Sequence, residues 1–168
     1  MVYEDLATGL RTKQLFEYLV REHSQLFRFT CHLWRFEILQ IPEQRNAAVD
    51  EAARADMIII AAHAGRELSR TIKEWIALWI CKKEAASALV TLLEVSGSQS
   101  HGTGPIRSYL REVAKKGQMS FFCQEVHSPN ESVKFPVEII QEHVIKLSSV
   151  QQRVVTEPVP AQQRRIDE

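Results

Sequence analysis

A chain of 168 residues fits one domain, able to bury roughly two thirds of its unfolded surface without disulfide or metal support. Lysine plus arginine number 21 and aspartate plus glutamate 21, so no net field gathers phosphate backbone or anionic lipid, and neither nucleic acid nor membrane is expected as a partner. Cys31, Cys81 and Cys123 form an odd set without CxxC or Cys/His ligand spacing, and read as reduced core residues of a cytoplasmic protein. The start reaches Glu4 and Asp5 at once, with no basic and apolar leader, and no apolar run is long enough to span a bilayer.

Short β-rich runs alternate with helical patterns, the rhythm of parallel strands joined by crossover helices. A first strand is expected over residues 1–4, followed by a helix over 10–22 with Leu15, Phe16 and Leu19 on one face. The second strand is expected over 27–34, and after Pro42 comes a helix whose buried face is small: Ala48, Val49, Ala52 and Ala53. Residues 57–62, with three consecutive isoleucines, read as a strand covered on both faces at the sheet centre. Next, residues 68–80 place Leu68, Ile72, Trp75, Ile76, Trp79 and Ile80 on one side at helical spacing. Trp75 and Trp79 are therefore core rather than a stacking platform, whereas Trp34 and Phe36 end the second strand, where they pack inward or flank a ligand.

Residues 88–95 read as the fourth strand, 105–116 as a helix opened by Pro105, and 119–126 as the fifth strand. Val137, Ile140, Val144 and Leu147 recur at spacings of three and four, predicting a last helix over 136–152 that packs on the sheet and can leave apolar surface for a homodimer or a protein partner. Residues 153–168 are polar and are expected to form a disordered tail, so that 1–152 make one Rossmann-like domain. Right-handed crossovers that cover both faces require the strand order 2-1-3-4-5 in a three-layer, doubly wound α/β sheet.

Such a sheet binds ligands beyond the carboxyl ends of its strands. Five loops meet that edge, at residues 4–9, 34–40, 62–67, 94–104 and 124–129. Glu4 and Asp5 end the first strand side by side and could hold a divalent cation through oxygen ligands. The plainer alternative is that Asp5 caps the coming turn. Thr8 and Gly9 could turn the chain into the first helix and, with Arg11, receive an anion. The stretch Ser96-Gly97-Ser98-Gln99-Ser100-His101-Gly102-Thr103-Gly104 carries three glycines and four hydroxyl residues before a helix, so its amides could cradle the same small anionic ligand. It lacks the lysine of a Walker loop, and a polar connector is its plain reading. His63 and His101, with His127 behind them, are the candidate acid-base groups, and Glu4, Asp5, Glu94 or Glu125 could orient them.

The acidic pair Glu4-Asp5 after the first strand resembles that of response-regulator receiver domains, a likeness that implies a regulatory domain of the same architecture. Where that family has a phosphoacceptor aspartate, this chain has Ala61, Ala62 and His63, so acyl phosphorylation is not expected. The loop Leu6-Ala7-Thr8-Gly9-Leu10-Arg11-Thr12 is similar to the flavin-phosphate loop of flavodoxins in its Thr-Gly pair. It lacks the leading hydroxyl, and no aromatic residue stands in 62–67 or 94–104 to sandwich a ring, so flavin is disfavoured. The segments Tyr3-Glu4-Asp5-Leu6-Ala7-Thr8-Gly9-Leu10-Arg11, Leu33-Trp34-Arg35-Phe36 and Ala55-Asp56-Met57-Ile58-Ile59-Ile60 resemble a family of small bacterial proteins, a likeness that implies no activity. Two functions remain open: a non-enzymatic, receiver-like regulatory or interaction domain, and a small enzyme or anion-binding protein with its site at the carboxyl edge.

Overall fold

In the computed structural model, residues 1–25, 27–83, 87–95 and 104–127 are described. They form β1 (Val2–Tyr3), α1 (Leu6–His23), β2 (Trp34–Arg35), a 3-10 turn (Ile38–Gln40), α2 (Pro42–Arg54), β3 (Met57–His63), α3 (Arg70–Ile80), β4 (Ala88–Glu94), α4 (Pro105–Lys116) and β5 (Ser120–Val126). All five strands are parallel, in the order β2-β1-β3-β4-β5. The predicted topology is therefore the observed one. The readings at residues 136–152 and 153–168 fall outside the described residues.

β3 and β4 carry the sheet. Their seven-residue ladder runs from Met57↔Ala88 to His63↔Glu94, and Ile58, Ile59, Ile60, Leu89 and Val90 are all buried, as continuous apolar strands must be when helices cover both faces. On one face α2, α3 and α4 pack Ala48, Val49, Ile72, Trp75, Trp79 and Leu110 onto the alternate side chains Ile58, Ile60, Leu89 and Leu93. On the other face lies α1, whose inward residues Thr8, Arg11, Thr12, Leu15 and Leu19 follow the three-to-four spacing of a helical stripe. Only the far half of that stripe is apolar.

Two expectations need correcting, each for a local reason. The second strand is not residues 27–34 but the pair Trp34–Arg35. Phe27 and Phe29 are half-buried and alternate with exposed residues as a strand would, yet Phe29 packs edge-to-face on Phe16 of α1 with centroids 6.2 Å apart and Phe27 on Phe29 at 6.5 Å, so part of their apolar surface is covered without a ladder. Helix α1 begins at Leu6 instead of residue 10 because Asp5 caps it. The Asp5 carboxylate accepts from the Thr8 amide at 3.0 Å, while the Thr8 hydroxyl accepts from the Asp5 amide at 2.9 Å, a reciprocal capping box. Thr8 and Gly9 are thus helical residues, not a turn. Of the cysteines, Cys123 is half-buried and packs against the core, whereas Cys31 is half-buried outside it and Cys81 is exposed at the end of α3.

Gly9 has a packing reason. A Cβ there would lie 2.7 and 2.8 Å from Cδ2 and Cε2 of the Tyr3 ring, which fills the space beside the first turns. Gly9→Ala should gain about 1 kcal/mol in helix propensity but force that ring aside at a cost of about 2 kcal/mol. A net loss of about 1 kcal/mol is expected in urea unfolding, whereas a net gain would show that the Tyr3 ring moves freely.

Candidate functional site

The strand order reverses between β1 and β3, and the crevice at that switch point is where a doubly wound sheet presents its site. Three strand ends converge there. Glu4 and Asp5 follow β1, His63 ends β3, and Glu94 ends β4 as the register partner of His63. Short β1 is held from both sides, since the Glu4 amide donates to the Ala61 carbonyl at 3.0 Å and the Phe36 amide donates to Tyr3 at 2.8 Å. The acidic pair is therefore fixed relative to His63 by the backbone.

The side chains close a network on this frame. The Nε2 of His63 lies 2.7 Å from Oδ2 of Asp5, and the His63 amide donates to Oε2 of Glu4 at 2.8 Å. On its other edge, Nδ1 of His63 lies 3.8 Å from Oε2 of Glu94. The remaining Glu94 oxygen pairs with Nη2 of Arg11 at 3.3 Å, and the Arg11 side chain is only 8% exposed. Arg11 is thus a buried counter-charge reaching across from α1, not a solvated helix-face arginine.

Protonation follows from these contacts. For Asp5, burial pushes the carboxyl upward, but hydrogen bonds from the Thr8 amide, the His63 ring and the Thr8 hydroxyl outweigh it and bring the value down to about 2. His63 is raised, first by its hydrogen bond to Asp5, against partial burial and with the charges of Asp5, Glu4 and Glu94 assisting. A depressed acid contributes stability above its unfolded value, near 3.8, and loses it as pH falls through about 2. A raised histidine contributes below its unfolded value, near 6.5, and loses it as pH rises through the elevated folded value. The pair should therefore stabilise most between those two unfolded values. Because Asp5 and His63 are 41% and 28% exposed, water screens the pair, and its worth is about 1 kcal/mol. Urea unfolding of wild type and His63→Gln at pH 5.5 and pH 9 should show a gap at the lower pH that closes at the higher; an equal gap at both would contradict the assignment.

The other expected site residues are placed as follows. Glu4 and Asp5, candidates for a cation, turn their oxygens to the His63 amide, the α1 cap and the His63 ring. Among the described residues no group of three or more His, Cys, Asp or Glu is arranged to hold a metal ion. Neither Thr8 nor Gly9 offers its amide to the crevice, since the first donates to the Asp5 carboxylate and the second to the Asp5 carbonyl. Ser96, Gly97, Ser98, His101 and Gly102 lie outside the described residues. Gly104 stands at the N-cap of α4, with open space where a Cβ would project. Glu125 pairs with Arg107 at 3.5 Å, and His127 is exposed beyond β5. What sequence reasoning missed is the partnership of Arg11 with Glu94, 83 positions apart. The signal available was that Arg11 shares the buried helical stripe with Thr8, Thr12 and Leu15.

No protein-family model matches the chain, and no curated protein matches it. Solved structures do, among them the Trp repressor binding protein from Bacillus subtilis, with 13% identity and a TM-score of 0.50 over 79% of this chain and 87% of that one. That likeness is one of fold, and with the parallel order 2-1-3-4-5 it makes this a flavodoxin-like α/β domain. Among the described residues no helix is long and apolar enough to cross a membrane.

Proposed function

We propose that the protein works through a small-molecule site at the switch-point crevice, where His63, held by Asp5, exchanges a proton or a hydrogen bond with a polar ligand. The observation that carries this reading is the 2.7 Å contact between Asp5 and His63 at the carboxyl ends of adjacent central strands. A carboxylate-held imidazole is the usual acid-base unit of such sites, because the carboxylate fixes the ring and stabilises its charged form. Glu4, Asp5 and Glu94 against Arg11 and His63 leave the crevice acidic, and the Thr8 amide in the first turn of α1 is already taken by the Asp5 carboxylate. Both features favour a hydroxyl- or amine-bearing ligand over the phosphorylated or flavin ligands that an open helix N-terminus would receive. Aspartyl phosphotransfer of the receiver kind has no place in this reading, since β3 closes on Ala61, Ala62 and His63.

A thermal-shift screen of hydroxylated, amine-bearing and phosphorylated small molecules, with and without magnesium, tests it on wild type and His63→Ala. A compound at a hundred times its dissociation constant adds about 2.7 kcal/mol of stability, and that gain should vanish in the variant. A gain that survives would place the ligand elsewhere. A second reading, a regulatory domain that docks a partner protein or a second copy at the same edge, is favoured by exposed Leu6, Leu10, Ile38 and Ile41, all in segments that follow β1 and β2. It gains weight if no compound stabilises the wild type.

A further inference from the structure

We propose that Glu94 is the positioning residue of this site: pinned by Arg11 at one oxygen, it aims the other at the Nδ1 edge of His63 and so sets the ring between two carboxylates. The inference rests on the reading of His63 as the working group. Glu94 is only 16% exposed, its Oε2 is buried and accepts no hydrogen bond from the described residues, and 3.8 Å separates that oxygen from Nδ1. The gap is too long for a hydrogen bond and too short for indifference. With Nε2 donating to Asp5, a neutral ring would turn the Nδ1 lone pair toward the Glu94 carboxylate, two acceptors facing each other. A protonated ring turns a donor there instead, and a small rotation would complete the orphaned bond. Glu94 cannot easily swing away, because its Oε1 is held by the nearly buried Arg11 guanidinium.

Among the described residues, the charged groups around His63 come from three elements. Asp5 and Glu4 come from the β1–α1 junction, Glu94 from β4, and Arg11 from α1, where it acts through Glu94. Asp5 sets which ring nitrogen keeps its proton in the neutral form, and Glu94 governs how readily the second nitrogen gains one. A ligand that takes a hydrogen bond from, or gives one to, Nδ1 must compete with Glu94, so Glu94 also gates access to the nitrogen that Asp5 leaves open.

The test is Glu94→Gln read by ring-nitrogen NMR of His63 across pH. Glutamine keeps an oxygen for Arg11 and places an amide donor opposite Nδ1, which favours the neutral ring. His63 should then lose its proton at least threefold more readily, a downward shift of half a pH unit or more, with the Nε2–H tautomer still dominant above it and the amide spectrum intact. Arg11→Lys, which still supplies a cation to Oε1, should leave the His63 titration near that of wild type. If Glu94→Gln does not fold, Arg11→Leu combined with Glu94→Leu removes both charges together and should still shift the titration downward, by less than Glu94→Gln because the cation goes with the anion. A folded variant in which the titration and ring-nitrogen shifts of His63 match wild type would overturn the proposal and leave Glu94 a purely structural partner of Arg11. Retention of ligand stabilisation in His63→Ala would instead fault the site reading while leaving the Glu94 coupling standing.

Discussion

Trp79→Ala is expected to cost about 4 kcal/mol, the largest loss of any single change considered for this fold. Trp79 is fully buried on α3, packs at 5.8 Å against Trp75, and belongs to the cluster that joins α2, α3 and α4 to one face of the sheet. Truncation removes one of the two largest side chains of that layer, and the backbone around it is fixed by the β3–β4 ladder, so the cavity cannot collapse. Trp79→Phe separates volume from chemistry. The indole Nε1 of Trp79 is buried without an acceptor among the described residues, so phenylalanine loses part of the packing yet also removes that unsatisfied donor. Its cost should stay under about 1.5 kcal/mol. Equilibrium denaturation checks both values, and equal losses for Ala and Phe would mean that the indole nitrogen, not the volume, matters.

Arg11→Met should cost about 3 kcal/mol, because it leaves the largely buried Glu94 carboxylate without its guanidinium partner. The side chain itself is replaced by one of similar length, so the loss is electrostatic rather than a void. Combining Arg11→Met with Glu94→Met should recover at least half of it, since two well-packed apolar side chains often replace a buried ion pair at little cost. A double variant no more stable than Arg11→Met alone would show that the pair is not the source of the loss. Because the two residues touch, their effects should be strongly non-additive in a double-mutant cycle.

The sheet was legible because its signals are local. Three consecutive isoleucines mark β3 as covered on both sides, the Leu68-to-Ile80 stripe marks α3, and Pro105 marks the start of α4. What misled was chemistry with two local readings. Thr8 and Gly9 resemble a turn, yet Asp5 and Thr8 close a capping box, and the Tyr3 ring makes a helical glycine the better fit. Phe27 and Phe29 alternate like a strand but pack as a ring cluster, Phe27 on Phe29 and Phe29 on Phe16. At the site, Glu4, Asp5, His63 and Glu94 could all be placed on the carboxyl edge from the strand pattern alone. Their joining could not, since the Asp5–His63 and Arg11–Glu94 contacts span 58 and 83 positions and depend on register. Register is what converts Glu94 from one orienting candidate among four into the neighbour of His63.

The functional account turns on whether Asp5 holds His63 in its charged form at the switch point, and the titration of the His63 ring, followed by NMR in wild type and in Asp5→Asn, measures this directly. Asparagine retains an oxygen for the Thr8 amide, so α1 stays capped, while the oxygen that faces Nε2 of His63 is replaced by an amide donor and the charge is lost. The wild-type ring should titrate above the ordinary value of 6.5, and the variant should fall back toward or below it. Titration at or below 6.5 in wild type, or at the same pH in both proteins, would contradict the dyad and with it the site.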